Sequence, residues 1–233
     1  MVNKSILLLC HGERHDLEGC PTTGIPLTMK VLKDMYTIDK NEGASPDLVT
    51  DWSKPIKISN KFEIVTTRCC MYHVFVNTKG DLDNTSFKNV EKVLKIGGYF
   101  IFSMAPYGLE KFGKYLLRKG YYKENIKNLK DQEWLESKLP EWKGNRKVKL
   151  PMKKSLMDIN RRENDDKLHK QLLELMVMYV ENKYKKLKLI RKKSEMDKFN
   201  QMIGKKYMTI NDTEDVIGNY NKYKNCWYFM KTS

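Results

Sequence analysis

The chain has 233 residues, of which 40% are apolar and 31% charged, with a formal net charge of +15. That apolar content excludes a disordered chain, and the lack of any apolar run near the roughly 20 residues of a bilayer span excludes a helical membrane protein. Residues 1–110 hold 13 Lys+Arg and 13 Asp+Glu, so the whole +15 excess lies in the second half. A neutral half followed by a basic half predicts a ligand-binding core with an anion-binding appendage. The five cysteines (Cys10, Cys20, Cys69, Cys70, Cys226) are odd in number and irregularly spaced, which suits reduced thiols better than a disulfide framework. "SILLLC" is too short for a signal peptide. The expectation is a soluble, intracellular protein with no membrane partner.

Ser5–Cys10 is a continuous apolar run, as in a strand buried on both faces of a parallel sheet. The polar loop "HGERHDLEGCPTTGIP" follows, and "LTMKVLKD" predicts a short helix. Tyr36–Asp39 is a second strand, and Asp47–Thr50 ends a turn and forms a brief third. "FEIVTT", Phe62–Thr67, is a short β-branched strand. In "TSFKNVEKVLKIGG", Phe87, Val90, Val93 and Leu94 have helical spacing, with Gly97–Gly98 expected to stop the helix. "YFIFSM" is the next buried strand. Strand, helix, Gly-Gly and strand form a βαβ unit. "GLEKFGKYLLRKG" predicts another helix ending at Gly120.

Residues 121–203 are polar and basic, broken by Pro140, Gly144 and Pro151. "DDKLHKQLLELMVMYVENKYKKLKLIRKK" predicts one long amphipathic helix, with Leu168, Leu172, Leu175, Met176, Tyr179, Tyr184, Leu187 and Ile190 near one face. "KYMTI" and "NCWYFMK" read as strands that pair in an antiparallel hairpin.

This order of pieces resembles the class I S-adenosylmethionine-dependent methyltransferases. "ILLLC", "YTIDKNEGASPDLVTDW", "FEIVTT", "VEKVLKIGGYFIFSM" and the terminal "YMTI…CWYFMK" carry the likeness, over roughly residues 1–118 and 205–233. The chain is most similar to the short methyltransferase-like proteins of large DNA viruses, which would place it in a host cytoplasm or a virion. The resemblance implies an α/β fold: a doubly wound, mostly parallel sheet with a terminal antiparallel hairpin and a basic helical insertion. Its parts would be a Rossmann-like core at 1–120, the insertion at 121–204, and a hairpin at 205–233 completing the sheet. The implied cofactor is S-adenosylmethionine. Asp39, at the end of the second strand, would hold the ribose hydroxyls, and Asp51, after the third, the adenine amine. Trp52 would pack beside the adenine, and Thr67, at the end of the fourth strand, is a further cofactor-binding candidate. A carboxylate can accept both ribose hydroxyls, and parallel strands bring their carboxyl ends to one crevice.

The chain departs from the family in its first loop, which in the family is glycine-rich. Here it reads "CHGERHDLEG". Two readings stand: the loop holds the amino-acid end of the cofactor through Cys10, His11, Gly12 and Glu13, or it no longer binds cofactor. "TTRCCMYH" occupies the place of the Asn/Asp-Pro-Pro-Tyr motif of amino-methylating nucleic-acid methylases, which argues against those subclasses.

Nucleic acid is the favoured acceptor and partner. Lys183, Lys185, Lys186, Lys188, Arg191, Lys192 and Lys193 would contact phosphates; the bland reading is a solvated helix face. Tyr121, Tyr122, Trp134 and Trp142 either stack on bases or form the insertion's own small core. Cys10, His11, His15 and Cys20, with Cys69, Cys70 and His73, match no closed zinc pattern, and no metal is assigned. Cys69 or Cys70 with His73 or His11 is a candidate nucleophile–base pair. No catalytic residue is assigned, and an inactive protein that kept the fold and binds nucleic acid or a protein partner through its basic half is the alternative to an enzyme.

Overall fold

The structure is a computed structural model. It describes residues 4–10, 24–67, 74–75, 83–103, 180–181, 183–208 and 226–233. In chain order the elements are β1 (Ile6–Leu9), α1 (Met29–Asp34), β2 (Met35–Asp39), a 3-10 turn (Glu42–Ala44), β3 (Leu48–Val49), β4 (Phe62–Thr67), α2 (Asn84–Val93), β5 (Leu94–Ser103), β6 (Leu187–Leu189), α3 (Lys193–Tyr207) and β7 (Cys226–Lys231).

These strands form one seven-stranded sheet in the order β3-β2-β1-β4-β5-β7-β6. β1 to β5 are parallel, and β7 runs antiparallel between β5 and β6. The chain winds outward from β1 to β3 and then returns to the other side of β1 as β4. The winding therefore reverses between β1 and β4, the kind of place where open α/β sheets bind ligands. The fold is α/β with a mixed sheet of Rossmann-like type.

All four residues of β1 are buried, as the unbroken apolar run requires of a central strand covered on both faces. One face carries Ile6, Leu8, Met35, Ile64 and Ile101, packed against Val31 of α1 and Phe199, Ile203 and Tyr207 of α3. The other face carries Phe100, Phe102 and Phe229. Phe75, Phe87 of α2 and Tyr184 close over it, with the Phe87 and Tyr184 rings stacked at 4.6 Å.

α2 starts on Asp83, whose carboxylate accepts the Ser86 N–H at 2.9 Å. Gly97–Gly98, expected to stop this helix, lies inside β5 instead. β5 spends the steps from Leu94 to Tyr99 while β4 advances only from Phe62 to Ile64, so β5 bulges. Gly97 takes φ +77° there, and a Cβ on Gly98 would meet the Glu63 carbonyl at 2.8 Å. Ile96 is thrown outward, 73% exposed.

Two further expectations are corrected. The long helix predicted through Lys193 is interrupted, because Leu187–Leu189 is strand β6. Leu187 and Leu189 are buried and Lys188 exposed, a period of two that pairs with the open edge of β7. The strand expected at "KYMTI" is not one over Lys206 and Tyr207, which close α3, while Thr209 and Ile210 lie outside the described residues; β7 runs antiparallel to β5 on one side and β6 on the other. α3 itself was missed, although Phe199, Ile203 and Tyr207 at intervals of four mark its buried face. Up to residue 179, the predicted insertion and the helix ending at Gly120 lie outside the described residues. No helix among the described residues is long and apolar enough to cross a membrane.

Candidate functional site

The parallel strands end along one rim. Register sets Leu9 beside Ile38 and beside Thr67, so Cys10, Asp39 and Thr67 stand at the ends of three adjacent strands, β1, β2 and β4. Neighbouring strands are about 4.8 Å apart, which keeps this group within about 10 Å.

Cys10 is the first residue past β1. Its N–H donates to the Ile38 carbonyl at 2.8 Å, and its φ is 58°. A left-handed backbone is natural for glycine and costs other residues about 1–2 kcal/mol. Cys10 thus takes a conformation that glycine would adopt without strain, and its thiol is half-buried. His11, Gly12 and Glu13 lie outside the described residues.

Asp39 ends β2, half-buried, and one of its carboxylate oxygens accepts the Asn41 N–H at 2.8 Å. The Asn41 side chain in turn accepts the Gly43 N–H at 3.0 Å and caps the 3-10 turn. The Asp39 carbonyl accepts the Thr50 N–H at 2.8 Å, which closes β3 onto β2. This turn aligns Asp39 with Val49 and sets Asp51 two residues beyond the rim.

Asp51 is drawn inward to its own turn. One oxygen accepts the Ser53 hydroxyl at 2.6 Å and the Ser53 N–H at 3.0 Å, and the other lies 3.7 Å from the Lys54 ammonium. The Ser53 hydroxyl, then its N–H, and the Lys54 charge hold the carboxyl below its ordinary range. Trp52 is 4% exposed and donates its indole N–H to the Ser86 carbonyl at 3.1 Å, so it is packed against α2.

Sequence reading passed over Asp47 as a site residue, yet it fixes the start of β3 against β2, on the amino side of the rim. Its carboxylate accepts the Thr37 N–H at 2.8 Å, the Thr37 hydroxyl at 3.0 Å and the Lys4 ammonium at 3.1 Å. Burial alone would raise its pKa; the Thr37 N–H and Lys4 outweigh it and leave the carboxyl low. Its place among Lys4, Thr37 and the strand ends could not be read from spacing, because Lys4 lies 43 residues away.

Thr67 is fully buried, and its hydroxyl has no hydrogen-bond partner among the described residues. Buried hydroxyls are ordinarily paired. Here the unpaired one stands at the strand end beside the switch point.

The basic residues do not form one helix face. Lys183 is helical, Lys185 and Lys186 turn the chain, Lys188 lies on β6, Arg191 and Lys192 connect, and Lys193 opens α3. All seven are exposed along the sheet edge beside β6. Arg191 grips the Glu181 carboxylate at 2.6 Å through one nitrogen and closer through the other, and the same carboxylate accepts the Leu189 N–H at 3.1 Å. Lys188 pairs with Glu195 at 3.6 Å. Of the two cysteine–histidine groups, only Cys10 is described; among the described residues no cluster of three metal-binding side chains occurs.

No family model and no curated protein matches the chain. A solved structure that does match is Haemonchus contortus phosphoethanolamine N-methyltransferase 2, in complex with phosphomonomethylethanolamine and S-adenosylhomocysteine. It is 12% identical with a TM-score of 0.30, over 100% of this chain and 50% of that one. The chain thus spans about half the length of that protein, and a likeness so slight has no bearing on function.

Proposed function

We propose that the protein is a methyltransferase-like protein that binds S-adenosylmethionine at the carboxyl rim of β1, β2 and β4, with nucleic acid as the favoured methyl acceptor. One observation carries the reading: a buried, unpaired hydroxyl, Thr67, stands beside the winding reversal, and a strand-end carboxylate, Asp39, stands on the same rim. A nucleoside suits both. Its ribose hydroxyls donate to Asp39, and its polar atoms complete the bonds of Thr67. Cys10, in its left-handed turn, is the backbone point nearest the reversal, and His11, Gly12 and Glu13 follow it. Asp51 would take the adenine amine on the oxygen that faces Lys54.

S-adenosylmethionine, when bound, would supply an electrophilic methyl group for transfer to the acceptor. The chain's part is to align donor and acceptor. The exposed lysines beside β6 would draw a polyanion, with an affinity that falls as salt rises. The proposed viral source rests on the sequence resemblance, and the proposed intracellular location on the composition and the brevity of the first apolar run.

A second reading is favoured by Asp51, whose carboxylate is already bonded to Ser53. In that reading the fold is retained without turnover, and the basic edge binds nucleic acid or a protein partner.

Calorimetric titration with S-adenosylmethionine tests the proposal. Saturable heat that Asp39→Ala abolishes is expected. No heat at millimolar ligand would overturn it and leave the non-catalytic reading, which salt-dependent binding to generic DNA or RNA would then support.

A further inference from the structure

Among the described residues two buried side-chain atoms have no hydrogen-bond partner, the Thr67 hydroxyl and the Trp227 indole nitrogen. They are 160 positions apart in sequence but close in the fold. β4 and β5 align Thr66 with Ile101, so Thr67 stands level with Phe102. β5 and β7 align Phe102 with Trp227. Thr67, Phe102 and Trp227 therefore form one row across three strands, near the carboxyl end of β4 and β5.

Side chains in one row of a sheet share a face. This row shares the face of Phe100 and Phe229, two residues earlier on β5 and later on β7, and not that of Ile101 and Tyr228. Two strand spacings, about 10 Å, separate the Thr67 and Trp227 backbones. The surroundings are aromatic: Phe75 lies 6.3 Å from Phe102, and Phe102 lies 6.5 Å from Phe229. An indole N–H is a donor only, so whatever completes it must present an acceptor. With no charged side chain in the row, a charged group would enter unpaired and at high cost.

We propose that this row is the acceptor end of the site: Thr67 faces the cofactor side, and Trp227 donates its N–H to an uncharged, planar, hydrogen-bond-accepting group of the methyl acceptor, such as the carbonyl edge of a nucleobase. The assignment to the acceptor rests on the methyltransferase reading; the presence of a ligand subsite at Trp227 does not. The basic edge beside β6 then handles phosphates, and this row handles the base. Recognition is thereby divided between a charged edge and a neutral, aromatic row.

The test uses the full chain labelled with ¹⁵N and ¹³C, with the Trp227 indole signal assigned through its bonds to the backbone. S-adenosylhomocysteine is added to saturation, followed by uracil or cytosine, with inorganic phosphate in parallel. A saturable shift of the Trp227 N–H signal with either base, and none with phosphate, is expected. A signal unmoved by both bases while S-adenosylhomocysteine binds would overturn the proposal, as would one moved equally by phosphate, or a site shown to hold an ordered water only. If the bases move the signal but S-adenosylhomocysteine gives no calorimetric heat, the subsite stands and the cofactor reading falls. Trp227→Phe should weaken base binding at least tenfold and leave S-adenosylhomocysteine affinity within twofold. The wild-type titration decides the matter even if that variant does not fold.

Discussion

The two ends of the same sheet treat their polar groups in opposite ways. At the amino end every named group is answered. Asp34 accepts the Ser5 N–H at 2.8 Å and the Tyr207 hydroxyl at 2.7 Å. Lys206 reaches Glu63 at 2.7 Å and the Ser5 hydroxyl at 2.9 Å. Lys231 and Lys61 donate to the carbonyls that end α2, where cations oppose the helix dipole favourably. At the carboxyl end, the Thr67 hydroxyl and the Trp227 indole nitrogen are buried without partners among the described residues, and Cys10 holds a left-handed backbone. A saturated network fastens elements together, whereas the buried groups left open and the strained backbone are the features on which the proposed binding site rests.

The largest expected effect breaks the saturated end. Asp34→Ala removes the acceptor of two groups, one of them the hydroxyl of a tyrosine that is 2% exposed. Stability should fall by about 3 kcal/mol, read as an earlier urea midpoint. Affinity for S-adenosylmethionine per folded molecule should be unchanged. If affinity falls with stability, the two ends are not separable in the way the comparison requires.

Thr67→Val should do the reverse. Replacing an unpaired hydroxyl by a methyl of similar shape should raise stability by about 1 kcal/mol while weakening S-adenosylmethionine, measured by urea unfolding and calorimetry on the same preparation. A loss of stability would mean that the hydroxyl is satisfied in solution. Cys10→Gly sharpens the same point at smaller scale: relief of the left-handed conformation should stabilise by about 1 kcal/mol, less the extra chain entropy that glycine brings to the unfolded state.

The smallest expected effect is in pH. Burial would raise the Glu63 pKa, but the Lys206 ammonium, and then Lys95, more than offset it and hold the carboxyl below its ordinary value. A carboxyl with a depressed folded pKa contributes stability that is present above the unfolded pKa and is lost as pH falls through the folded one. Unfolding midpoints measured from pH 6 down to 3 should therefore drop less steeply in Glu63→Gln than in the wild type. Parallel curves would show that the Lys206 pair adds nothing.

Much of the first half was legible because its signals are local. The β1 run, the short β-branched run of Phe62–Thr67 and the helical spacing of Phe87, Val90 and Val93 each depend on a few neighbouring residues, and each element appears where the pattern put it. The basic half was less legible because one segment satisfied two periods. Leu187 and Ile190 fit a helical stripe, while Leu187 and Leu189 fit a strand. The open edge of β7 decided between them, through a partner about 40 residues away. α3 was missed for the related reason that Lys206 and Tyr207 read as the start of a strand until Phe199 and Ile203 are seen to share a face with Tyr207.

The candidate site divides along the same line. The sequence by itself determined that carboxylates would follow two successive strands, because a strand's end and the polar residue after it are local facts. It also determined that the first loop would be poor in glycine. Only tertiary structure decided that Asp51 turns to Ser53, that Trp52 belongs to the core against α2, and that Arg191 is held by Glu181. Only it set Thr67 and Trp227 in one row. Whether a polar atom finds a partner depends on which strands become neighbours, and strand order is settled by the burial of whole faces rather than by any short run of residues.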